Sequence, residues 1–182
     1  MGRLLKTIRK IFYKYPIISN SVIYGSLCVG AEVSQQTVQK KLLKTPPEKY
    51  DPAVIGRYAI YGTTIAGPLL TVWYQWLDKL VVGKTLRVAA KKVLIDQFIM
   101  TPQLLIIFFV AMSFMENKEN VFEECKQKYL VTFKNSCMFW LPVQSLNFLV
   151  IPSSLRVLYV GICSFAWINI LCWIKRTDSS SN

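Results

Sequence analysis

FWLPVQSLNFLVIPSSLRV, residues 139–157, is the stretch that decides how this chain is read. It is apolar enough for a bilayer, yet it carries Gln144, Asn147 and Arg156 and is interrupted by Pro142 and Pro152. A soluble core has no need of two prolines and an arginine in such a run. A helix facing lipid on all sides does not tolerate Gln and Asn together. Polar groups in hydrocarbon are costly, so they turn toward a bundle interior, a partner or a water-filled cavity. Trp140, Gln144 and Asn147 follow one another at spacings of four and three, which puts them on one helix face. Two readings stay open: interhelical hydrogen bonds that glue a bundle, or the lining of a polar pathway.

The rest of the chain agrees with a membrane setting. Its 182 residues are a one-domain length, read as a single integral-membrane domain over 1–182, with a basic amphipathic start at 1–16 and a polar tail at 177–182. It is 53% hydrophobic and 13% aromatic. Several apolar runs approach the roughly 20 residues that a spanning helix needs. The net charge of +12 falls between those runs, as in loops beside anionic lipid. No zinc-finger or RNA-binding motif accompanies it, so nucleic acid is not an expected partner. There is no histidine, which removes the commonest general base and metal ligand. The five cysteines form no C-x-x-C pair and read as reduced structural residues. A thiol switch at Cys125 or Cys137 is the alternative.

In chain order, the pattern predicts a first span over 17–33, with a small-residue row at Ser26, Gly30 and Ser34 for close helix contact. A polar stripe of Glu32, Gln35, Gln36 and Gln39 continues one face of it, and Thr45-Pro46-Pro47 stops it. The second span, 53–77, has a row at Ala59, Thr63, Gly67 and Thr71. Arg57 near its start is placed to snorkel to the interface. Pro68 is expected to kink this span, and Trp73, Tyr74 and Trp76 read as an interfacial aromatic belt. A basic loop at 78–92 precedes a third span, 93–115, which admits Asp96 and Gln97; Lys92 is spaced to pair with Asp96. Residues 116–128 read as a solvated amphipathic helix. Apolar segments at 130–151 and 155–174 complete the chain. The fold class is all-α: a polytopic transmembrane bundle of four to five apolar helices plus the amphipathic N-terminal segment.

The motif W-x-x-x-Q-x-x-N-F-x-x-[VI]-P-x-x-x-R-V is met by Trp140, Gln144, Asn147, Phe148, Pro152, Arg156 and Val157. With Ser34-Gln35-Gln36, Gly67-Pro68, Trp73-Tyr74, Leu77-Asp78, Lys91-Lys92, Asp96-Gln97 and Pro102, it resembles the Mpv-seventeen/Sym-one family of small mitochondrial inner-membrane and peroxisomal membrane proteins. Many of its members have Trp-Pro directly, whereas here the proline comes one place later, at Pro142. The resemblance implies a channel or pore for small hydrophilic solutes in an organelle membrane, contributing to metabolite and redox homeostasis. Such proteins are usually described with four spans. The alternative function is a non-conducting scaffold of an inner-membrane assembly.

Candidate pathway-lining or bundle-polar residues are Glu32, Gln36, Arg57, Asp96, Gln97, Gln144, Asn147 and Arg156. As a pathway, Arg57 and Arg156 would favour anions, Glu32 and Asp96 would tune selectivity, and Pro142 and Pro152 would permit hinge motion. As structure, the two acids and two arginines would pair with one another, while Glu32 beside Asp96 would be a carboxylate pair for proton work. No G-x-S-x-G, Walker-A or G-x-G-x-x-G motif or zinc-ligand cluster is present. No enzyme activity, catalytic residue, cofactor or metal is therefore expected. The expected partners are membrane lipid, small hydrophilic solutes and further copies of the chain. The expected address is the mitochondrial inner membrane, with the peroxisomal membrane as the alternative.

Overall fold

The computed structural model describes residues 15–43, 49–83, 85–152 and 155–177, and all regular structure among them is helical. Helix α1, Pro16–Gln36, runs on through a wider π-helical segment, Thr37–Leu43. Helix α2, Pro52–Ile60, continues through a π segment, Tyr61–Ala66, into α3, Gly67–Leu80. Helix α4, Leu86–Ile95, passes through Asp96–Met100 into α5, Thr101–Met115, in the same way. Helices α6, Glu123–Leu149, and α7, Arg156–Thr177, follow. The backbone stays right-handed across both joins, so α2–α3 and α4–α5 are each one rod. The described chain thus forms five rods.

Local chemistry explains their ends. Asp51 caps α2, its Oδ1 accepting from the N–H groups of Ala53 at 3.0 Å and Val54 at 3.3 Å, and Pro52 fills the first turn, where no N–H is needed. Pro68 and Pro102 each stand just after a π segment. A proline offers no N–H and crowds the carbonyl four residues back. The wider turn ahead of it accommodates that mismatch, so each rod continues through its proline. Pro142, by contrast, lies inside α6.

The connections are shorter than the charge pattern suggests. In place of the basic loop expected at 78–92, α3 runs to Leu80 and α4 starts at Leu86, and Gly83 between them has φ +127°. Asp78 and Lys92 are therefore helical. The solvated helix expected at 116–128 is instead a turn over 116–122, with Asn117 at φ 53°, followed by α6. Glu124 and Lys128 of that helix are buried. The predicted stop at Thr45-Pro46-Pro47, the basic start over 1–14 and the serines of the tail lie outside the described residues.

The rods close into a ring. The first packs on the second and fifth, the third on the second and fourth, and the fourth on the fifth. Polar side chains are buried within an apolar core while large apolar ones face outward. Glu32 and Asn147 are fully buried, and Gln36 and Gln97 are 1% exposed, whereas Phe114 is 72%, Leu130 71% and Met138 79% exposed. An apolar exterior around a polar interior suits a lipid solvent. Two helices, Pro16–Lys40 and Leu86–Met115, are long and apolar enough to cross a membrane.

The close helix contact predicted from small residues exists, but on a different face of α1. A Cβ at Gly25 would fall on Thr63 Oγ1, one at Gly62 would lie 2.7 Å from Cys28 Sγ, and one at Gly67 would lie 2.6 Å from Ser21 Cα. Ser21, Gly25 and Cys28 therefore form the touching row, not Ser26, Gly30 and Ser34. Ser26 is exposed, its hydroxyl donating to the Val22 carbonyl at 2.8 Å. The first row is spaced four and three and the second four and four, and either spacing keeps three residues on one helix face, so pattern alone does not choose between them. On the second rod Thr63, Gly67 and Thr71 are in place, and Thr71 accepts from Asn20 at 3.2 Å.

Candidate functional site

Three rods meet at a buried polar layer. Asp96 opens the π segment of the third rod and points its carboxylate inward. Trp73 Nε1 donates to its Oδ1 at 2.7 Å, and Gln144 Nε2 donates to its Oδ2 at 2.6 Å. The same Gln144 amide donates to the Tyr74 hydroxyl at 2.6 Å, while its Oε1 accepts from Asn147 Nδ2 at 2.8 Å. The amide is thus used from both ends, and the bonds to a carboxylate are of the stronger, charge-assisted kind. Asn147 Oδ1 is buried without a partner.

Toward the end where α3 meets α4 and α6 meets α7, the layer gives way to charge. Asp78 Oδ1 accepts from Lys92 Nζ at 2.6 Å and from Arg156 Nη1. The Phe148 ring lies beneath both cations, its centroid 5.0 Å from the guanidinium and 5.8 Å from the ammonium. Tyr74 packs edge-on against that ring, centroids 6.1 Å apart at 70°.

On the other side of the layer is a cavity of about 70 Å³ to which all five rods contribute, room for a few waters. Its polar lining includes Tyr24 and Ser164, Tyr58 and Tyr61, Asp96 and Thr101, and Ser136 and Gln144, between the aromatic walls of Phe108, Trp140 and Trp167. The Tyr24 hydroxyl donates to Ser164 Oγ at 3.1 Å. Ser136 Oγ is fully buried and unpartnered there.

The opposite end is closed by two further clusters. Gln36 Nε2 donates to Glu32 Oε1 at 2.8 Å and to the Asp51 carbonyl at 3.1 Å, and Gln36 Oε1 accepts from the Asp51 N–H at 2.7 Å. This clamps the far end of the first rod to the start of the second. Beside it Arg57 faces Glu116 at 3.7 Å, Lys118 bridges Glu116 at 3.1 Å and Glu124 at 2.6 Å, and Lys128 reaches Glu124 at 3.5 Å. Desolvation pulls the Lys118 pKa down, but its bonds to Glu124 and Glu116 outweigh that and hold it above the ordinary value.

The eight sequence candidates therefore divide. Asp96, Gln144, Asn147 and Arg156 belong to one continuous assembly, but only Asp96 and Gln144 line the cavity. Glu32 and Gln36 belong to the far clamp. Arg57 joins the Glu116 cluster rather than an intramembrane acid, and Arg156 pairs with Asp78. Gln97 is buried apart from the layer, its amide donating to Cys137 Sγ at 3.3 Å. The expected Lys92–Asp96 pair does not form, because Lys92 turns to Asp78 on the neighbouring rod. Nor do Glu32 and Asp96 form a carboxylate pair, since the Asp96 oxygens are taken by Trp73 and Gln144.

Trp73 and Tyr74 are not interfacial anchors. Trp73 donates into the layer and Tyr74 is 4% exposed, while Trp76, 46% exposed, faces outward. Sequence reasoning missed Trp73, Tyr74, Asp78, Lys92 and Ser136 as site residues. A signal for three of them was present. Tyr74 with Asp78, and Lys92 with Asp96, stand at four-residue spacing on one face of their helices. Among the described residues no group of three His, Cys, Asp or Glu side chains converges as a metal site.

An all-helical ring with large apolar side chains outside, charged clusters at both ends and a polar layer buried within its core fits a membrane protein. Comparison with known proteins narrows the class. The model of the Mpv17/PMP22 family matches residues 113–172. The chain is 34% identical over 162 residues to Protein sym1 of Aspergillus oryzae, covering 88% of this chain and 89% of that one. It is 30% identical over 165 residues to an Mpv17-like protein of Xenopus laevis, covering 91% and 79%. To peroxisomal membrane protein 2 of Bos taurus it is 27% identical over 168 residues, covering 91% and 86%. No solved structure matches it. The chain belongs to the Mpv17/PMP22 family.

Proposed function

We propose that this protein is a multi-pass channel for small hydrophilic solutes, with its five rods crossing the membrane and the central cavity as the narrow part of a closed pathway. The observation that carries this is the cavity itself, lined from every rod and furnished with a carboxylate, an amide and several hydroxyls, one of them, on Ser136, without a partner. Bundle glue alone needs no space beside it. The ion clusters at both ends act as the closed gates, and Pro142 within α6 gives the wall a place to bend. Conduction is a passive role that calls for no catalytic residue or cofactor. Lipid and solute are the partners, and assembly with further copies of the chain is part of the reading.

The address proposed is the mitochondrial inner membrane, in keeping with the acid-free basic N-terminus. The name of the bovine relative favours the peroxisomal membrane as the alternative. The test is conductance of the purified full chain in a planar bilayer of defined lipid. Discrete openings are expected, and Asp96→Asn, which keeps the side-chain shape, should shift their ion selectivity. Wild-type protein that gives no current above bare lipid would refute the channel and favour a non-conducting scaffold.

A further inference from the structure

The cation pair at the α3–α4 end is not accounted for by a pathway lining or by packing. Lys92 and Arg156 are 4% and 5% exposed, so both charges are taken out of solvent, and they converge on a single carboxylate oxygen of Asp78. The two cations share this one carboxylate, because the other buried acid of the assembly, Asp96, is held by Trp73 and Gln144. Arg156 Nε is buried with no hydrogen-bond partner. Leaving a charged donor unmet is costly, and natural sites meet such donors with a ligand or water. The Phe148 ring fixes both cations from one side, and the N-terminus of α7 adds partial positive charge at Arg156. Asp78 itself is more accessible than either cation, its side chain 24% exposed.

We infer that Lys92 and Arg156 form a binding site for a phosphate oxyanion, free in solution or carried by a lipid headgroup, for which the Asp78 carboxylate is the resident stand-in. The chemistry matches. A planar guanidinium supplies paired donors to a tetrahedral oxyanion, and an ammonium adds a point charge. Entry requires only that Asp78 swing outward. The oxyanion then takes its place between the two cations and reaches the unmet Nε–H. Asp78 competes with the ligand, and binding is read by thermal unfolding, so the test stands whether or not the protein conducts.

The prediction has opposite signs at neighbouring positions. The full chain in a neutral detergent is titrated with inorganic phosphate, against chloride at matched ionic strength, and its thermal unfolding is followed. A parallel arm adds phosphatidic acid at fixed mole fraction, against phosphatidylcholine. Asp78→Asn weakens the competitor and should tighten binding about tenfold, while Lys92→Gln should weaken it about tenfold, one charged hydrogen bond each way. Lys79→Gln, an exposed change at the same end, should leave it unaltered. Response to phosphate in both arms marks a site for the free ion, and response to phosphatidic acid alone marks a lipid site. The inference fails if neither ligand stabilises the wild type beyond its control, or if Asp78→Asn binds no more tightly than wild type. Should Lys92→Gln not fold, the comparison of Asp78→Asn with wild type still decides.

Discussion

Replacing single glycines in the first rod distinguishes the contact row in the structure from the row the spacing suggested. At Gly25 an added methyl would fall on Thr63 Oγ1, with Thr63 Cβ 3.1 Å and Thr63 N 3.2 Å away. Thr63 is β-branched and its backbone is held in the π segment of the second rod, so neither neighbour can give way cheaply and the rods must part. Overpacking of this kind costs about 1–3 kcal/mol. The intrinsic helix preference of Ala over Gly returns about 0.5–1 kcal/mol. The difference is about 0–2.5 kcal/mol, and because the added methyl would fall on Thr63 Oγ1 itself the expected loss is in its upper half, about 1–2.5 kcal/mol, a fall in melting temperature of about 2–10 °C for a chain of this size.

At Gly30 the nearest atom to the added methyl is Phe165 Cε2 at 3.5 Å, an ordinary contact, and at Gly56 nothing lies within 4 Å. Both Ala variants should match or exceed the wild type. The assay is tryptophan-fluorescence melting of each variant in one detergent. Adding Thr63→Ala to Gly25→Ala removes the worst clash and should recover part of the loss, a coupling that a double-mutant cycle reads directly. Gly30→Ala melting below Gly25→Ala would refute the packing of α1 and restore the Ser26–Gly30–Ser34 face.

Three further outcomes are expected. Asp96→Ala strands the Trp73 Nε1 donor and removes one of the two bonds that Gln144 Nε2 donates, at about 1–3 kcal/mol for an unmet buried group. Glu119→Ala, in an exposed turn, should change stability little, and equal melting of the two variants would remove Asp96 from the layer. Asn147→Leu should lower stability by about 1–2 kcal/mol or less with conductance unchanged, because Asn147 braces Gln144 from behind and does not line the cavity; a changed conductance with an unchanged melt would reverse that assignment. In mitochondria, tags at residue 1 and near residue 118 should lie on opposite sides, the N-terminus in the matrix by the positive-inside rule. Protease that cleaves the N-terminal tag in mitoplasts while sparing the tag near residue 118 would overturn the orientation.

Helix type and the inward face of the sixth helix were legible in the sequence. Trp140, Gln144 and Asn147 share a face through spacing alone, and polar side chains in an apolar run turn away from lipid whatever their partners. The small-residue spacing likewise announced close rod contacts. In α1 small residues recur at helical spacing on two faces, and spacing alone does not rank them, so the choice between the Gly25 and Gly30 rows waited on the neighbouring rod. Pairing of charges is decided across rods. Lys92 stands four residues from Asp96, yet its ammonium goes to Asp78, 14 residues away, because the second and third rods meet there and Asp96 is already held by Trp73. Arg156 reaches the same carboxylate across 78 residues of chain. The cavity belongs wholly to the tertiary structure: it is the space left where five rods close a ring, and no single segment encodes its lining.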